Sequence, residues 1–139
     1  MKSHKTKIQI RFSDCDMLGH INNAKFATYM EMARVQYVDD AIEPSREWTE
    51  TGILLASITI DFAIPIYLTD DLTIETTIIS IGNKSLKMEY VFVCSTEKGD
   101  VVKAKGSTVL VFYHYIEKTT IQVPQLWRDK INLFQGSDL

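Results

Sequence analysis

The spacing of hydrophobic and polar residues changes twice within the first forty positions of the chain. In residues 5–12, Ile8, Ile10 and Phe12 are separated by polar residues, which predicts a half-buried strand with these three side chains on one face. Residues 13–21 carry a serine, two aspartates and a histidine and include a glycine, which predicts a polar loop. A strand followed by a loop is therefore expected at the start of the fold.

The segment after this loop is predicted to be a long helix. Asn22 is a suitable N-cap, because its side-chain oxygen can accept a hydrogen bond from an amide of the first turn. The helix is expected to end at Asp39 or Asp40. Its apolar residues cover most of the circumference, and a helix of this kind is usually buried. We therefore expect strands to wrap around it.

Four strand-like runs follow a connection that contains a proline and a glycine. The runs occupy residues 53–66, 72–81, 85–95 and 101–115. Turn residues at regular spacing between β-branched runs indicate an antiparallel meander. A turn of helix is predicted near residues 46–51, and a short amphipathic helix is predicted at residues 125–134 with Pro124 at its first position. The chain lacks an internal linker, so residues 1–139 are expected to form one α+β domain.

The last predicted strand is apolar on both faces. Val109, Val111 and Tyr113 alternate with Leu110 and Phe112. A sheet that is apolar on both faces needs a cover on each side, and too little chain remains to supply the second cover. Self-association is therefore expected, and a two-fold dimer is the commonest form.

Composition narrows the possible functions. With 139 residues, 45% apolar residues and 24% charged residues, the chain has ordinary globular usage and enough length for one core. The formal net charge of -3 and the absence of a basic stripe argue against nucleic-acid binding. No run approaches a membrane span, and no apolar segment follows the basic first residues. Cys15 and Cys94 lack paired spacing, so reduced thiols in the cytoplasm are expected.

The polar loop is the strongest candidate for a functional site. It carries two aspartates, a cysteine, a histidine and, at the helix start, Asn22 and Asn23. A helix N-terminus offers unpaired amides and a partial positive charge, so the Asn23 amide can hold a developing oxyanion. The same field favours an ionised Asp16, which can then act as a base or a nucleophile. Together these features suit attack on a carbonyl group.

Each residue of the loop also has a structural interpretation. An aspartate before a helix is often a cap or turn residue, and His20 can be a hydrogen-bonded anchor of the loop. A thiol nucleophile formed by Cys15 and His20 is a weaker hypothesis, because one such pair five residues apart has little specificity. A metal site formed by Asp14, Asp16, His20 and His4 lacks any recognised ligand spacing.

The loop and the helix resemble a known family signature. The segment from Arg11 to Asp16, then residues 19–23, then Tyr29, Glu31, Ala33 and Arg34 resemble the hot-dog-fold acyl-CoA thioesterases. The similarity is to the branch that contains 4-hydroxybenzoyl-CoA thioesterase and the YbgC-like and FadM-like enzymes. It extends over residues 6–123, with further matches at Asp61-Phe62, Pro65 and Asp71-Leu72.

The resemblance implies a fold, an assembly and a reaction. It implies a five- or six-stranded antiparallel sheet around one long helix, and a dimer with a continuous sheet that often pairs into a tetramer, with active sites between subunits. Asp16 would attack the thioester carbonyl or activate a water, and the Asn23 amide would polarise that carbonyl. The residues that would shape the loop are Arg11, Asp14, His20 and Asn22. No metal or bound cofactor is implied.

Substrate recognition is less specified by the resemblance. Basic residues on the turn between the third and fourth of five sheet strands would meet the phosphates of coenzyme A, which points to Lys84 and Lys87. Some relatives carry a basic run there, whereas this chain has Gly82 and Asn83. Acyl carrier protein is therefore an alternative to coenzyme A as the acyl carrier. Tyr29, Met30, Phe62 and Ile64 are candidates for the acyl pocket or for the core. A non-catalytic acyl-CoA-binding dimer and a hydratase or dehydratase are the competing functions.

Overall fold

A computed structural model describes residues 1–139 as two helices and one antiparallel sheet. A short 3₁₀ turn at Phe12–Asp14 lies between the first strand and the first helix. In chain order the elements are β1 (His4–Ile8), α1 (Asn23–Ala41), β2 (Thr51–Phe62), β3 (Asp71–Ile81), β4 (Ser85–Thr96), β5 (Gly99–His114), β6 (Thr119–Thr120) and α2 (Gln125–Gln135). No helix is long and apolar enough to cross a bilayer.

The sheet has the strand order β1-β3-β4-β5-β2, and β6 adds a short pairing to β5. The meander is therefore confirmed for β3, β4 and β5. It is wrong for β2, which lies beyond β5 and is not adjacent to β3. Chain order cannot predict this crossover, because both positions satisfy the same alternation of side chains. As a result β2 is an edge strand with one free side.

The two ends of the sheet are defined by the strand register. At one end, Phe62 of β2 is aligned with Ala104 of β5 and Phe92 of β4. At the other end, Thr51 of β2 is aligned with His114 of β5, near the turn between β3 and β4. The start of α1 lies at the first end, where the rings of Phe26 and Phe62 are 4.9 Å apart.

Helix α1 packs on one face of the sheet, but it is not buried all round. Tyr29, Met30, Ala33 and Tyr37 lie on its buried side and are at most 2% exposed. On its opposite side, Met32 and Val35 are 46% and 51% exposed. The expectation of a fully enclosed helix is wrong for the single chain, because β2 ends the sheet before it reaches that side.

Helix α2 closes the core at the end of the sheet opposite to the α1 N-terminus. Trp127 packs edge-on against Phe112, with ring centroids 4.8 Å apart. The Gln135 side chain accepts a hydrogen bond from the Ile78 amide and donates one to the Ile78 carbonyl, and it also accepts one from the Tyr37 hydroxyl. These bonds satisfy the backbone at a bulge in β3. The prediction of a C-terminal helix is confirmed, with Pro124 as its N-cap residue, immediately before the first helical residue.

Several predicted boundaries differ from those observed. Strand β1 ends at Ile8, and Phe12 is 83% exposed, because the chain turns into the 3₁₀ segment. Strand β2 ends at Phe62, four residues earlier than predicted, where the next two amides bond to the Lys103 carbonyl outside the ladder. No helical turn forms at residues 46–51, and β6 was not predicted.

Candidate active site

The loop before α1 is a tight hairpin with Asp16 and His20 opposite each other. The Asp16 amide donates to the His20 carbonyl at 3.0 Å, and the Gly19 amide donates to the Asp16 carbonyl at 3.1 Å. Gly19 has a φ of +85°, a conformation that residues with a Cβ rarely adopt. Cys15 and Ile21 form the next bridge. The backbone therefore fixes Asp16 and His20 as neighbours.

The side chains of Asp16 and His20 are partly accessible. One Asp16 carboxylate oxygen accepts a hydrogen bond from the Leu18 amide at 2.9 Å. The other oxygen lies 3.8 Å from His20 Nδ1, and each of the two side chains is 27% exposed. One oxygen of Asp16 thus remains free of direct hydrogen bonds and available to a substrate or a water.

The loop is anchored to the segment that follows β2. The Ile21 amide donates to the Ile66 carbonyl at 2.8 Å, and His20 forms a bridge with Tyr67. The rings of His20 and Tyr67 meet edge-on at 6.4 Å. Residues 63–67 therefore form a wall beside the loop.

The start of α1 presents a backbone amide with no protein acceptor. Asn22 is the N-cap, as predicted, and its side-chain oxygen accepts from the Ala24 amide at 2.9 Å. The Asn22 amide donates to the Asp14 carbonyl at 2.9 Å. The Asn23 amide between these two donates to no group of the protein. It is therefore free to donate a hydrogen bond to a ligand at the positive end of the helix.

Asn23 is one of the residues that line a pocket of about 270 Å³. His20 and Asn23 contribute to its polar edge. Asp16 does not line the pocket, but its carboxylate lies 3.8 Å from His20 Nδ1. The remaining lining is mostly apolar and comes from Ile21, Phe26, Phe62, Ala63, Ile64, Pro65 and Ile66. The pocket thus combines an apolar wall with a hydrogen-bond donor, which suits an acyl group.

Asp14 has a different environment from Asp16. It is 8% exposed, and its Oδ2 accepts from the Tyr29 hydroxyl at 2.5 Å and from the Arg11 amide at 3.1 Å. Burial raises the pKa of Asp14, but the hydroxyl of Tyr29, the Arg11 amide and the nearby charge of Lys25 together bring that pKa below its ordinary value. Asp14 is therefore a buried, ionised carboxylate inside the loop.

Tyr29 lies in the core and has its hydroxyl on Asp14. Burial first, and then its hydrogen bond to Asp14, raise the pKa of the Tyr29 hydroxyl, so it stays a donor. Among the four acyl-pocket candidates, Phe62 and Ile64 line the pocket, whereas Tyr29 and Met30 are at most 2% exposed. Sequence reasoning missed the Asp14–Tyr29 bond, and its only signal is that the loop carries a second aspartate.

The two lysines predicted to bind coenzyme A lie far from Asp16 within one chain. Lys84 is on the turn between β3 and β4, where its Nζ lies 3.3 Å from Thr120 Oγ1, and Lys87 is exposed on β4. This turn is at the opposite end of the sheet from the loop. The single chain therefore does not bring Lys84 or Lys87 to the loop.

The metal-site alternative finds less support in the geometry. His4 bonds to Asp40 at 2.8 Å near the end of α1, so the structure does not bring it to Asp14, Asp16 and His20. Both cysteines are free thiols. Burial, reinforced by the charge of Asp70, raises the pKa of Cys94 to about 11, so this thiol is a poor nucleophile. The thiol hypothesis is therefore confined to Cys15, which lies in the loop beside His20.

Comparison with known proteins gives the same fold. A thioesterase from Thermus thermophilus, solved with coenzyme A and Zn, is 32% identical, with a TM-score of 0.83 over 97% of this chain and 96% of that one. A 4-hydroxybenzoyl CoA thioesterase variant complexed with 4-hydroxybenzoyl CoA is 20% identical, with a TM-score of 0.77 over 94% and 99% of the two chains, a likeness of fold alone. The α+β hot-dog fold is thereby confirmed.

Sequence comparison identifies the family. An uncharacterized protein of Bacillus subtilis strain 168, YsmA, is 30% identical over 84 residues, which span 60% of this chain and 56% of that protein. The family model described as the thioesterase-like superfamily matches residues 10–130, which include the loop, the helix and all the long strands. The chain belongs to the thioesterase-like superfamily.

Proposed function

We propose that this protein is an acyl-CoA thioesterase in which Asp16 and the start of α1 form the active site. The observation that carries the proposal is the unpaired backbone amide of Asn23. Asn23 lines a mostly apolar pocket and directly follows the short loop that carries Asp16. The loop motif also supports membership of the branch with 4-hydroxybenzoyl-CoA thioesterase and the YbgC-like and FadM-like enzymes. The reaction converts a thioester and water into a carboxylic acid and a thiol.

In this mechanism the Asn23 amide binds the thioester carbonyl oxygen. Negative charge develops on that oxygen as the carbonyl carbon is attacked, and the helix N-terminus stabilises it. Removing one such donor typically lowers the rate by about 10²- to 10³-fold. The carbonyl therefore becomes reactive only where the substrate reaches the start of α1.

Asp16 supplies the attack in one of two ways. As a nucleophile, its carboxylate adds to the carbonyl carbon and expels the thiolate, and water then hydrolyses the resulting anhydride. As a general base, it takes a proton from a water that attacks the same carbon. His20, 3.8 Å from Asp16, holds the loop and can donate a proton to the departing sulfur. Both routes give the same products.

We also propose that two copies pair through β2. This strand has a free edge, and Leu55, Ile58 and Phe62 along it are 39–50% exposed. Beside it, Met32 and Val35 of α1 form an exposed apolar strip. A long edge strand with exposed apolar residues is expected to be covered, and a second copy supplies an edge and a strip of the same chemistry.

This pairing also gives Lys84 and Lys87 a role in the proposal. Two β2 strands related by a two-fold axis run antiparallel, so the Thr51 end of one copy lies beside the Phe62 end of the other. The turn that carries Lys84 is at the Thr51 end, and the Asp16 loop is at the Phe62 end. A dimer therefore brings the lysines of one copy towards the active site of the other, where they can meet phosphates of coenzyme A.

The test is thiol release from a panel of acyl-CoA and acyl carrier protein thioesters, with short, long and aromatic acyl groups. The proposal predicts turnover of at least one acyl-CoA. If only the carrier-protein thioesters are hydrolysed, acyl carrier protein replaces coenzyme A as the proposed acyl carrier. Binding without turnover would support the non-catalytic alternative. If no thioester of the panel is bound or hydrolysed, the proposed function is contradicted.

A further inference from the structure

Asp14 joins both ends of the loop that carries Asp16. Its side chain accepts from the Arg11 amide where the chain leaves β1, and its carbonyl accepts from the Asn22 amide where α1 begins. Its side chain also accepts from Tyr29, in the second turn of α1. One residue is thus bonded to the segment before the loop, to the helix start and to the buried side of the helix.

The positions of Asp16 and Asn23 both depend on this residue. Asp16 is two residues after Asp14, and Asn23 directly follows the residue whose amide Asp14 binds. The Tyr29 hydroxyl fixes Asp14 to α1 itself, at 2.5 Å. Movement of Asp14 relative to α1 therefore changes the separation between the Asp16 carboxylate and the Asn23 amide.

The chemistry of the pair favours a rigid connection. Asp14 is nearly buried, and a buried carboxylate is stable only when it is hydrogen-bonded or paired. Tyr29 is 2% exposed, so solvent water is kept from replacing Asp14 as the hydrogen-bond acceptor of its hydroxyl. Hydrogen bonds to a charged acceptor are shorter and stronger than neutral ones. Lys25, whose Nζ is 3.7 Å from Asp14 Oδ1, adds charge from the first turn of the same helix.

We infer that Asp14 and Tyr29 are positioning residues that hold Asp16 at the separation from the Asn23 amide required for attack on the thioester. The inference rests on the proposed function and extends it to two residues that touch neither substrate nor reacting atoms. Misplacement of a reacting group by about 1 Å can lower the rate by about 10²-fold. The pair therefore acts on the rate of the chemical step more than on substrate binding.

The test compares Tyr29→Phe with Tyr37→Phe. Both residues are buried on α1, and each variant loses one hydroxyl that donates to a buried side chain, Asp14 or Gln135. Tyr37 is fourteen residues beyond the helix start, about 21 Å along the axis. We expect Tyr29→Phe to lower kcat by about 10- to 100-fold with KM within about twofold, and Tyr37→Phe to leave kcat unchanged.

Stability is measured in the same variants so that unfolding is not mistaken for misplacement. Assays are run at a temperature where both proteins are fully folded by circular dichroism. If Tyr29→Phe does not yield folded protein, Asp14→Asn is tested in its place against the same control. Wild-type kcat in the folded variant, or an equal loss of kcat in Tyr37→Phe, would overturn the inference. If the wild-type protein itself hydrolyses no thioester, the failure is that of the proposed function.

Discussion

Asp14 and Asp16 are separated by one residue in the chain and have opposite surroundings. Asp14 is buried against Tyr29, whereas Asp16 is 27% exposed and has one oxygen without a direct hydrogen bond. The sequence shows two aspartates around a cysteine and does not distinguish their orientations. The difference arises because the 3₁₀ turn directs Asp14 inward, after which the chain reverses at Gly19.

The ionised Asp14 predicts a specific pH dependence of stability. Its pKa is below the ordinary value in the folded protein, so the unfolded chain takes up this proton first as the pH falls. The stabilisation is therefore present above about pH 4, the ordinary aspartate range, and is lost as the pH falls through the lowered pKa. We expect the unfolding free energy of wild type minus that of Asp14→Asn to be positive at pH 7 and to shrink below about pH 4.

Urea unfolding of both proteins at a series of pH values measures this difference. Asp138→Asn, at an exposed position beyond α2, is the matched control for a carboxylate-to-amide change. A difference that stays constant or grows as the pH falls would show that Asp14 is not stabilised as a carboxylate.

The bounds of the secondary-structure elements were predictable where residues that favour turns separate the strands. The turns at residues 82–84 and 97–100 gave β3, β4 and β5 to within two residues at each end. The N-cap at Asn22 was also predicted, because a single local hydrogen bond determines it. The end of β1 was not predicted correctly. The alternation of apolar and polar residues continues to Phe12, but the hydrogen bond from the Arg11 amide to Asp14 stabilises a turn there.

Long-range features were less accessible than local ones. The position of β2 beyond β5 depends on which edge remains free after β3, β4 and β5 have paired. The Asp14–Tyr29 hydrogen bond joins residues fifteen positions apart, and neither residue type alone predicts the other as its partner. The polar loop was identified because its density of polar side chains is unusual between two apolar elements, but the partner of each side chain required the fold.

Helix α2 is predicted to stabilise the sheet through Gln135. Replacing Gln135 with alanine leaves the Ile78 amide, the Ile78 carbonyl and the Tyr37 hydroxyl without this partner in a buried site. Each unsatisfied buried group costs about 1–3 kcal/mol, so we expect Gln135→Ala to lower the unfolding free energy by about 2–4 kcal/mol. Chemical denaturation measures the loss.

Gln125 provides a control of the same residue type on the same helix. Its amide bonds to Asp129 at an exposed site, so Gln125→Ala should change the unfolding free energy by no more than about 0.5 kcal/mol. Equal effects of the two substitutions would mean that Gln135 does not stabilise the bulge in β3.

At the scale of the whole molecule, the free edge of β2 and the exposed side of α1 predict a dimer. Ile58 is 39% exposed near the middle of β2 and lies on the same face of the sheet as its partner Thr108. A lysine at this position places a charge in the proposed interface, which we expect to shift the protein from twice the chain mass of 15.9 kDa to a single chain mass. Thioester turnover should fall in parallel.

Light scattering coupled to size-exclusion chromatography measures the mass of each variant. Leu133→Lys is the control, because Leu133 is 80% exposed on α2, away from β2. A wild-type protein that elutes as a monomer, or an Ile58→Lys dimer with wild-type stability, would contradict pairing through β2.

The proposed mechanism requires that the Asp16 carboxylate performs or promotes the attack on a thioester bound at the start of α1. The most direct measurement is kcat for Asp16→Asn on the best acyl-CoA of the panel, together with the affinity of the variant for that substrate. We predict a loss of at least about 10³-fold in kcat, with affinity within a few fold of wild type, because the amide can neither attack nor accept a proton. A folded Asp16→Asn variant that turns over acyl-CoA at the wild-type rate would show that Asp16 is not the catalytic group.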